Sequence, residues 1–229
     1  MASTLDGPRI PPKSRMAKQL IVFLHGYGAD GNDLIALGKQ WQSLMPDAAF
    51  VSPHAPQPCA QAPSGRQWFP LTMRDPEERW VGVNQAQPGL DAFLDAELAR
   101  HGLDESKLIL VGFSQGTMLA LHVGLRRKKA PAGILGYSGV LVGPEHLAER
   151  GQSGNPPPVL LVHGNQDDVI PADALFLSAE QLAQANMACQ WHLSSGIGHG
   201  IDGGGVMHGA LFVAKCLRLK VPAEMRVKV

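Results

Sequence analysis

A chain of 229 residues, 45% apolar and 17% charged, is long enough for one substantial core and suits a globular protein. Twenty basic residues offset twenty acidic ones, which removes any electrostatic case for nucleic acid or an anionic membrane as partner. No apolar run approaches the roughly eighteen residues of a membrane span, so integral membrane association is not expected.

Residues 1–229 read as one domain. Met1 to Lys18 is polar and proline-bearing, an N-terminal extension rather than a secretory signal. Gln19 to Leu24 is a short apolar strand containing the β-branched Ile21 and Val22. Asp33 to Met45 has helical spacing through Leu34, Leu37, Trp41 and Leu44, and Ala49 to Ser52 is a second short strand. Pro53 to Gln87 breaks the rhythm, with six prolines, Trp68, Phe69 and Trp80, and no sustained period. So long an irregular stretch in a compact domain is usually functional or disordered, and its aromatics argue against disorder. It reads as a loop that walls the active site.

Pro88 to His101 is an amphipathic helix with Gly102 as its C-cap. Lys107 to Phe113 is a third strand and leads into a helix over Thr117 to Arg127. Ala132 to Tyr137 and Val159 to Val162 are further strands, continuous apolar runs as expected where both sheet faces are covered. Pro171 to Met187 is helical, Cys189 to Leu193 a last strand, and Val206 to Leu217 a closing helix. The alternation predicts an α/β fold, a mostly parallel, doubly wound sheet whose ligands bind beyond the carboxyl ends of the strands. Cys59, Cys189 and Cys216 are odd in number and widely spaced, which fits reduced thiols in a cytoplasmic protein.

Ser114 sits in Gly112-Phe113-Ser114-Gln115-Gly116, between a predicted strand and a predicted helix. A G-x-S-x-G turn in that context strains the serine backbone and exposes its hydroxyl at a strand end. Ser114 is therefore the candidate nucleophile. A serine hydroxyl needs a base to take its proton as it attacks. Of the nine histidines, His199 lies on the glycine-rich loop between the last strand and the last helix, where it can overhang Ser114. His192 falls in a strand and His208 in a helix, as packed or surface residues, while His101, His122 and His146 lie on or beside helices and are expected to be solvated.

The base needs a carboxylate to hold its tautomer, and Asp167-Asp168 follows the strand ending at Val162. The order Ser…Asp…His suits this fold, but spacing alone leaves Asp167 and Asp168 as alternatives. Oxyanion donors are expected from the Gln115 amide and from the loop His25-Gly26-Tyr27-Gly28-Ala29-Asp30-Gly31. That loop lacks the G-x-x-x-x-G-K-[ST] pattern of a phosphate loop. His25, His163 and Asp167 lie near strand ends, but no H-E-x-x-H or paired Cys/His spacing accompanies them, so neither a metal nor another cofactor is expected.

With these residues in place, the chain resembles the phospholipase/carboxylesterase family of α/β hydrolases, the group that includes acyl-protein thioesterases. The resemblance rests on Leu24-His25-Gly26-Tyr27-Gly28, Pro53-His54-Ala55-Pro56, Trp68-Phe69, the Ser114 pentapeptide, His163-Gly164-x-x-Asp167-x-x-x-Pro171 and Gly198-His199, in order across nearly the whole chain. It implies an α/β-hydrolase fold without a large cap domain, Asp167 as the catalytic acid, and Tyr27 and Gln115 as oxyanion amides. It also implies a substrate pocket shaped by Trp68, Phe69 and Leu71. The implied activity is hydrolysis of carboxylic esters of short to medium acyl chain, with small-molecule ester or acyl substrates. The alternatives are an acyl-protein thioesterase or lysophospholipase on the same triad, and then a non-catalytic hydrolase-fold binding protein. A homodimer stays open. Two departures from the family, Phe69-Pro70-Leu71 and the run Gly203-Gly204-Gly205, bear on substrate range.

Overall fold

Successive residues of a strand point to opposite faces of a sheet, and here both faces are apolar. In the strand Gln19–Leu24, Leu20, Val22 and Leu24 join one buried cluster while Ile21 and Phe23 join another. The computed structural model describes residues 5–72, 75, 77–149 and 154–221. Residues 1–4 of the N-terminal extension, and 73, 74 and 76 of the 53–87 stretch, lie outside that set.

The strands are β1 (Arg9–Ile10), β2 (Gln19–Leu24), β3 (Ala48–Val51), β4 (Gln57–Cys59), β5 (Ala62–Gln67), β6 (Leu108–Phe113), β7 (Gly133–Tyr137), β8 (Val159–Gly164) and β9 (Cys189–Ser194). The α-helices are α1 (Gly31–Trp41), α2 (Glu77–His101), α3 (Gln115–Gly124), α4 (Asp173–Gln184) and α5 (Gly203–Cys216). Seven strands form one sheet in the order β1-β3-β2-β6-β7-β8-β9. Every pairing in it is parallel except that of β1 with β3. Residues of α1 and α5 cover one face; α2, α3 and α4 cover the other. All ten residues of α3 are buried, as befits a helix enclosed between the sheet and α2.

The topology positions the site. From β2 the chain passes through α1 to β3 on one side, and β6 later takes the place on the other side of β2. Because α1 and α3 lie on opposite faces, the loops leaving β2 and β6 diverge and open a crevice at the carboxyl ends of these two strands. Leu24 pairs with Gly112 there, so the His25 loop and Ser114 begin side by side.

The 53–87 stretch differs from the irregular loop expected of it. Residues 57–67 form the antiparallel hairpin β4–β5, and α2 begins at Glu77, eleven residues before Pro88. The hairpin contains Pro58, Pro63 and Gly65 and no apolar alternation, so no period marks it. Pro88 would ordinarily end a helix, since it lacks an N–H to bond the carbonyl four residues back. Here Pro88 and Gly89 sit on the exposed side of α2, where the Asn84 carbonyl can turn to water, and the helix continues through them. It ends where expected, with Gly102 at φ 63°.

Candidate active site

Ser114 stands between β6 and α3 with φ 53° and ψ −115°, a backbone conformation that L-residues rarely adopt. Its N–H donates to Tyr137 O at 2.9 Å, and its carbonyl accepts from Thr117 N at 3.0 Å. The flanking glycines are steric requirements. A Cβ on Gly112 would overlap the Gly116 carbonyl, and one on Gly116 would overlap the Leu24 carbonyl at the end of β2. The turn thus presses α3 directly onto the neighbouring strand, and Ser114 stays 8% exposed at the crevice.

The loop after β8 supplies the carboxylate. Asp167 Oδ1 accepts from Val169 N at 2.9 Å and Ile170 N at 2.8 Å, while Oδ2 accepts from His199 Nδ1 at 2.8 Å. His163 Nε2 lies 3.1 Å from the same Oδ2 and 2.8 Å from Ile170 O. Two acceptors facing one ring nitrogen mean that His163 Nε2 carries the hydrogen. Burial alone would raise the Asp167 pKa, but the hydrogen bonds from His199, Ile170 and Val169 outweigh it and hold the carboxyl below its ordinary value. Of the doublet, Asp167 is the carboxylate that meets His199, and Asp168 is exposed.

His199 comes from the loop between β9 and α5, and its ring centroid is 5.0 Å from that of Phe113, the residue preceding Ser114. Gly164 lets this loop sit down, because a Cβ there would overlap the carbonyls of Ile197 and Gly198. Gln166 N also donates to Ile197 O at 2.8 Å. The unusual Gly203-Gly204-Gly205 run opens α5 beneath the Asp202 cap, whose Oδ1 takes Gly205 N at 2.9 Å. A Cβ on Gly205 would press on Val162, and Tyr137 Oη donates to the Gly205 carbonyl at 3.1 Å. That glycine serves packing of α5 against β7 and β8.

On the other side of Ser114, Gly26 brings its backbone within 3.4 Å, as an added Cβ, of the Ser114 Cβ. His25 is fully buried, and its Nε2 accepts from Ala55 N at 3.0 Å, so Nδ1 is the donor to Gly26 O at 2.8 Å. Burial lowers its pKa, keeping the ring neutral and both nitrogens engaged. The hairpin grips the next residues. Gly28 N donates to Arg66 O at 2.9 Å, Arg66 N donates to Ala29 O at 2.8 Å, and Gly28 itself takes φ 80°. A hydrogen bond with the Cys59 thiol, together with burial, pushes the Tyr27 phenol up to about 12.

The three residues expected to shape the pocket divide. Trp68 and Phe69 are 2% and 0% exposed and belong to the core, where Phe69 packs on Gly82 of α2; Leu71 is half-buried at its edge. The reason is polar anchoring. Gln115 Oε1 accepts from Trp68 N at 2.9 Å, Gln115 Nε2 donates to Phe69 O at 2.8 Å, and Trp68 Nε1 donates to His25 O at 2.9 Å. His122, expected in solvent, is 1% exposed inside α3, 5.4 Å from Trp80 edge-on and 2.9 Å from Gln87 Oε1. Sequence reasoning missed the roles of His163 and His25. The four-residue step from His163 to Asp167 off a strand end was the available signal for the first.

The chain is similar to several known proteins. The solved structure of esterase PE8 superposes with a TM-score of 0.89 at 42% identity, covering 94% of this chain and all of that one. SOBER1 of Arabidopsis thaliana shares the fold, with a TM-score of 0.74 at 23% identity over 87% of this chain and 99% of its own. Acyl-protein thioesterase 1 of Gibberella zeae is 26% identical over 87% of this chain and 91% of its own length. Esterase YpfH of Escherichia coli is 25% identical over 81% and 78%. The profile of the phospholipase/carboxylesterase family matches residues 5–217, and with that the chain belongs to this family of α/β hydrolases.

Proposed function

We propose that the protein, an ester hydrolase of its family, works through Ser114, His199 and Asp167, with the Tyr27 and Gln115 amides as oxyanion donors. The observation that carries the proposal is the 2.8 Å hydrogen bond from His199 Nδ1 to a buried, backbone-bonded Asp167, with the His199 ring against Phe113, the residue preceding a serine held at φ 53°. A carboxylate fully engaged by donors fixes the Nδ1–H tautomer and leaves the His199 Nε2 lone pair free. Nε2 takes the Ser114 proton as Oγ attacks the ester carbonyl, and the two amides receive the oxyanion charge. Protonated His199 gives that proton to the departing alcohol. Water, deprotonated by the same nitrogen, then cleaves the acyl-enzyme to release the acid and restore Ser114.

Carboxylic esters of short to medium acyl chain, as small molecules, are the proposed substrates. Acyl-protein thioesters are the second reading, favoured by the relatives named for that activity. No described helix is long and apolar enough to cross a membrane. For a homodimer, the support is the open sheet edge at β9, where Trp191 is 53% exposed. Ser114→Ala should abolish turnover of a short aryl ester with the fold intact, and a fluorophosphonate should label Ser114 in the parent enzyme. Retention of more than about a few per cent of activity overturns the assignment. Rates on an acyl-ester series beside palmitoyl thioesters and lysolipids separate the substrate readings.

A further inference from the structure

We infer that Trp68, with the Gln115 side chain, is a positioning element that fixes the separation of the two oxyanion amides. The inference rests on reading Tyr27 and Gln115 as those donors. The two amides belong to different elements, one following β2 and one opening α3. An oxyanion hole works only while both stay aimed at one point, and a displacement of about 1 Å can cost on the order of a hundredfold in rate.

Two contacts act on their spacing in opposite senses. Gly116 lies against the carbonyls of Leu24 and His25, with no room even for a methyl group, and this hard contact stops α3 and the β2 loop from coming closer. A limit on approach does not prevent separation. The tether against separation is three hydrogen bonds, two made by Trp68 and one to the carbonyl of Phe69. Trp68 Nε1 donates to His25 O at 2.9 Å, Trp68 N donates to Gln115 Oε1 at 2.9 Å, and Gln115 Nε2 donates to Phe69 O at 2.8 Å. His25 precedes Tyr27 by two residues, and Gln115 supplies the second amide itself.

The bridge is dry and committed. Gln115 and His25 are 0% exposed and Trp68 is 2% exposed, so no water replaces a lost partner without repacking. The indole and the His25 imidazole are also in ring contact, with centroids 5.3 Å apart. Filling this volume requires no polar atom. The N–H of Trp68 and the amide of Gln115 add direction, which a core residue does not need and an oxyanion hole does.

Trp68→Phe keeps a ring and removes the indole donor. With a short aryl ester we expect kcat to fall about tenfold or more while KM stays within about twofold. Affinity for a trifluoromethyl ketone, which forms the tetrahedral oxyanion, should fall by the same factor. Gln115→Met should act in the same direction, and the double variant should be no worse than the weaker single, because both cut one bridge. Should Trp68→Phe not fold, 3-benzothienylalanine at position 68 removes only the N–H. A folded variant whose kcat is unchanged, or whose loss is carried by KM, overturns the inference and makes Trp68 a core or pocket residue. Stoichiometric labelling of Ser114 by a fluorophosphonate in the unmodified enzyme tests the underlying serine-esterase reading separately.

Discussion

At residue scale, the neighbouring carboxylates Asp167 and Asp168 show what a sequence leaves open. They are chemically identical and adjacent, and both follow the same strand, so spacing could not choose between them; the H-G-x-x-D resemblance favoured Asp167. Their surroundings differ: Asp167 turns inward to accept from two backbone amides and from His199, with His163 Nε2 3.1 Å away, while Asp168 faces solvent. Asp167→Asn keeps the shape but offers an amide where a carboxylate fixed the His199 tautomer. It should lower kcat by roughly 10³–10⁴, and Asp168→Asn should leave kcat within about twofold. Steady-state kinetics on both variants checks the pair, and equal losses would contradict the assignment.

At the scale of elements, what could be read was what hydrophobic periodicity encodes. β2, β6, β7 and β8 are continuous apolar runs between covered faces, and their predicted and observed bounds nearly coincide. The hairpin β4–β5 could not be read that way, because backbone pairing with the loop after β2 holds it rather than an apolar face of its own. The first half of α2 was hidden by Pro88, the strongest helix-stop signal in the chain, placed where the exposed side of the helix tolerates it. The neighbouring Gly89 has an ordinary negative φ and open space around an added Cβ. Gly89→Ala should therefore stabilise the protein by about 0.5–1 kcal/mol, chiefly by restricting the unfolded chain. Thermal melting should rise by about 1–4 °C with kcat unchanged. A lower melting temperature would mean that the turn after Pro88 needs the glycine's freedom.

At the scale of the whole molecule, stability against acid depends on histidines folded in the neutral form. His122 is the clearest. Burial inside α3, reinforced by the positive charge of Arg126 one turn on, brings its pKa from 6.5 to about 3. Gln87 Oε1 accepts from its Nε2, and Trp80 meets the ring edge-on, so protonation finds no carboxylate to offset it. The unfolded chain takes up this proton near 6.5 and the folded chain refuses it until about 3, so stability falls as pH drops below the unfolded value. His122 alone should remove about 2 kcal/mol of unfolding free energy between pH 7.5 and pH 5. This loss precedes that of Asp167, whose lowered pKa confers stability above the ordinary carboxylate range that disappears only as pH falls through its folded value. Urea unfolding at the two pH values measures the His122 contribution, and His122→Gln should flatten the dependence by about the same 2 kcal/mol. His25, lowered by burial in the same direction, supplies part of the slope that remains. An unchanged slope in His122→Gln would place the acid sensitivity elsewhere, because a glutamine at 122 takes up no proton on unfolding in this pH range.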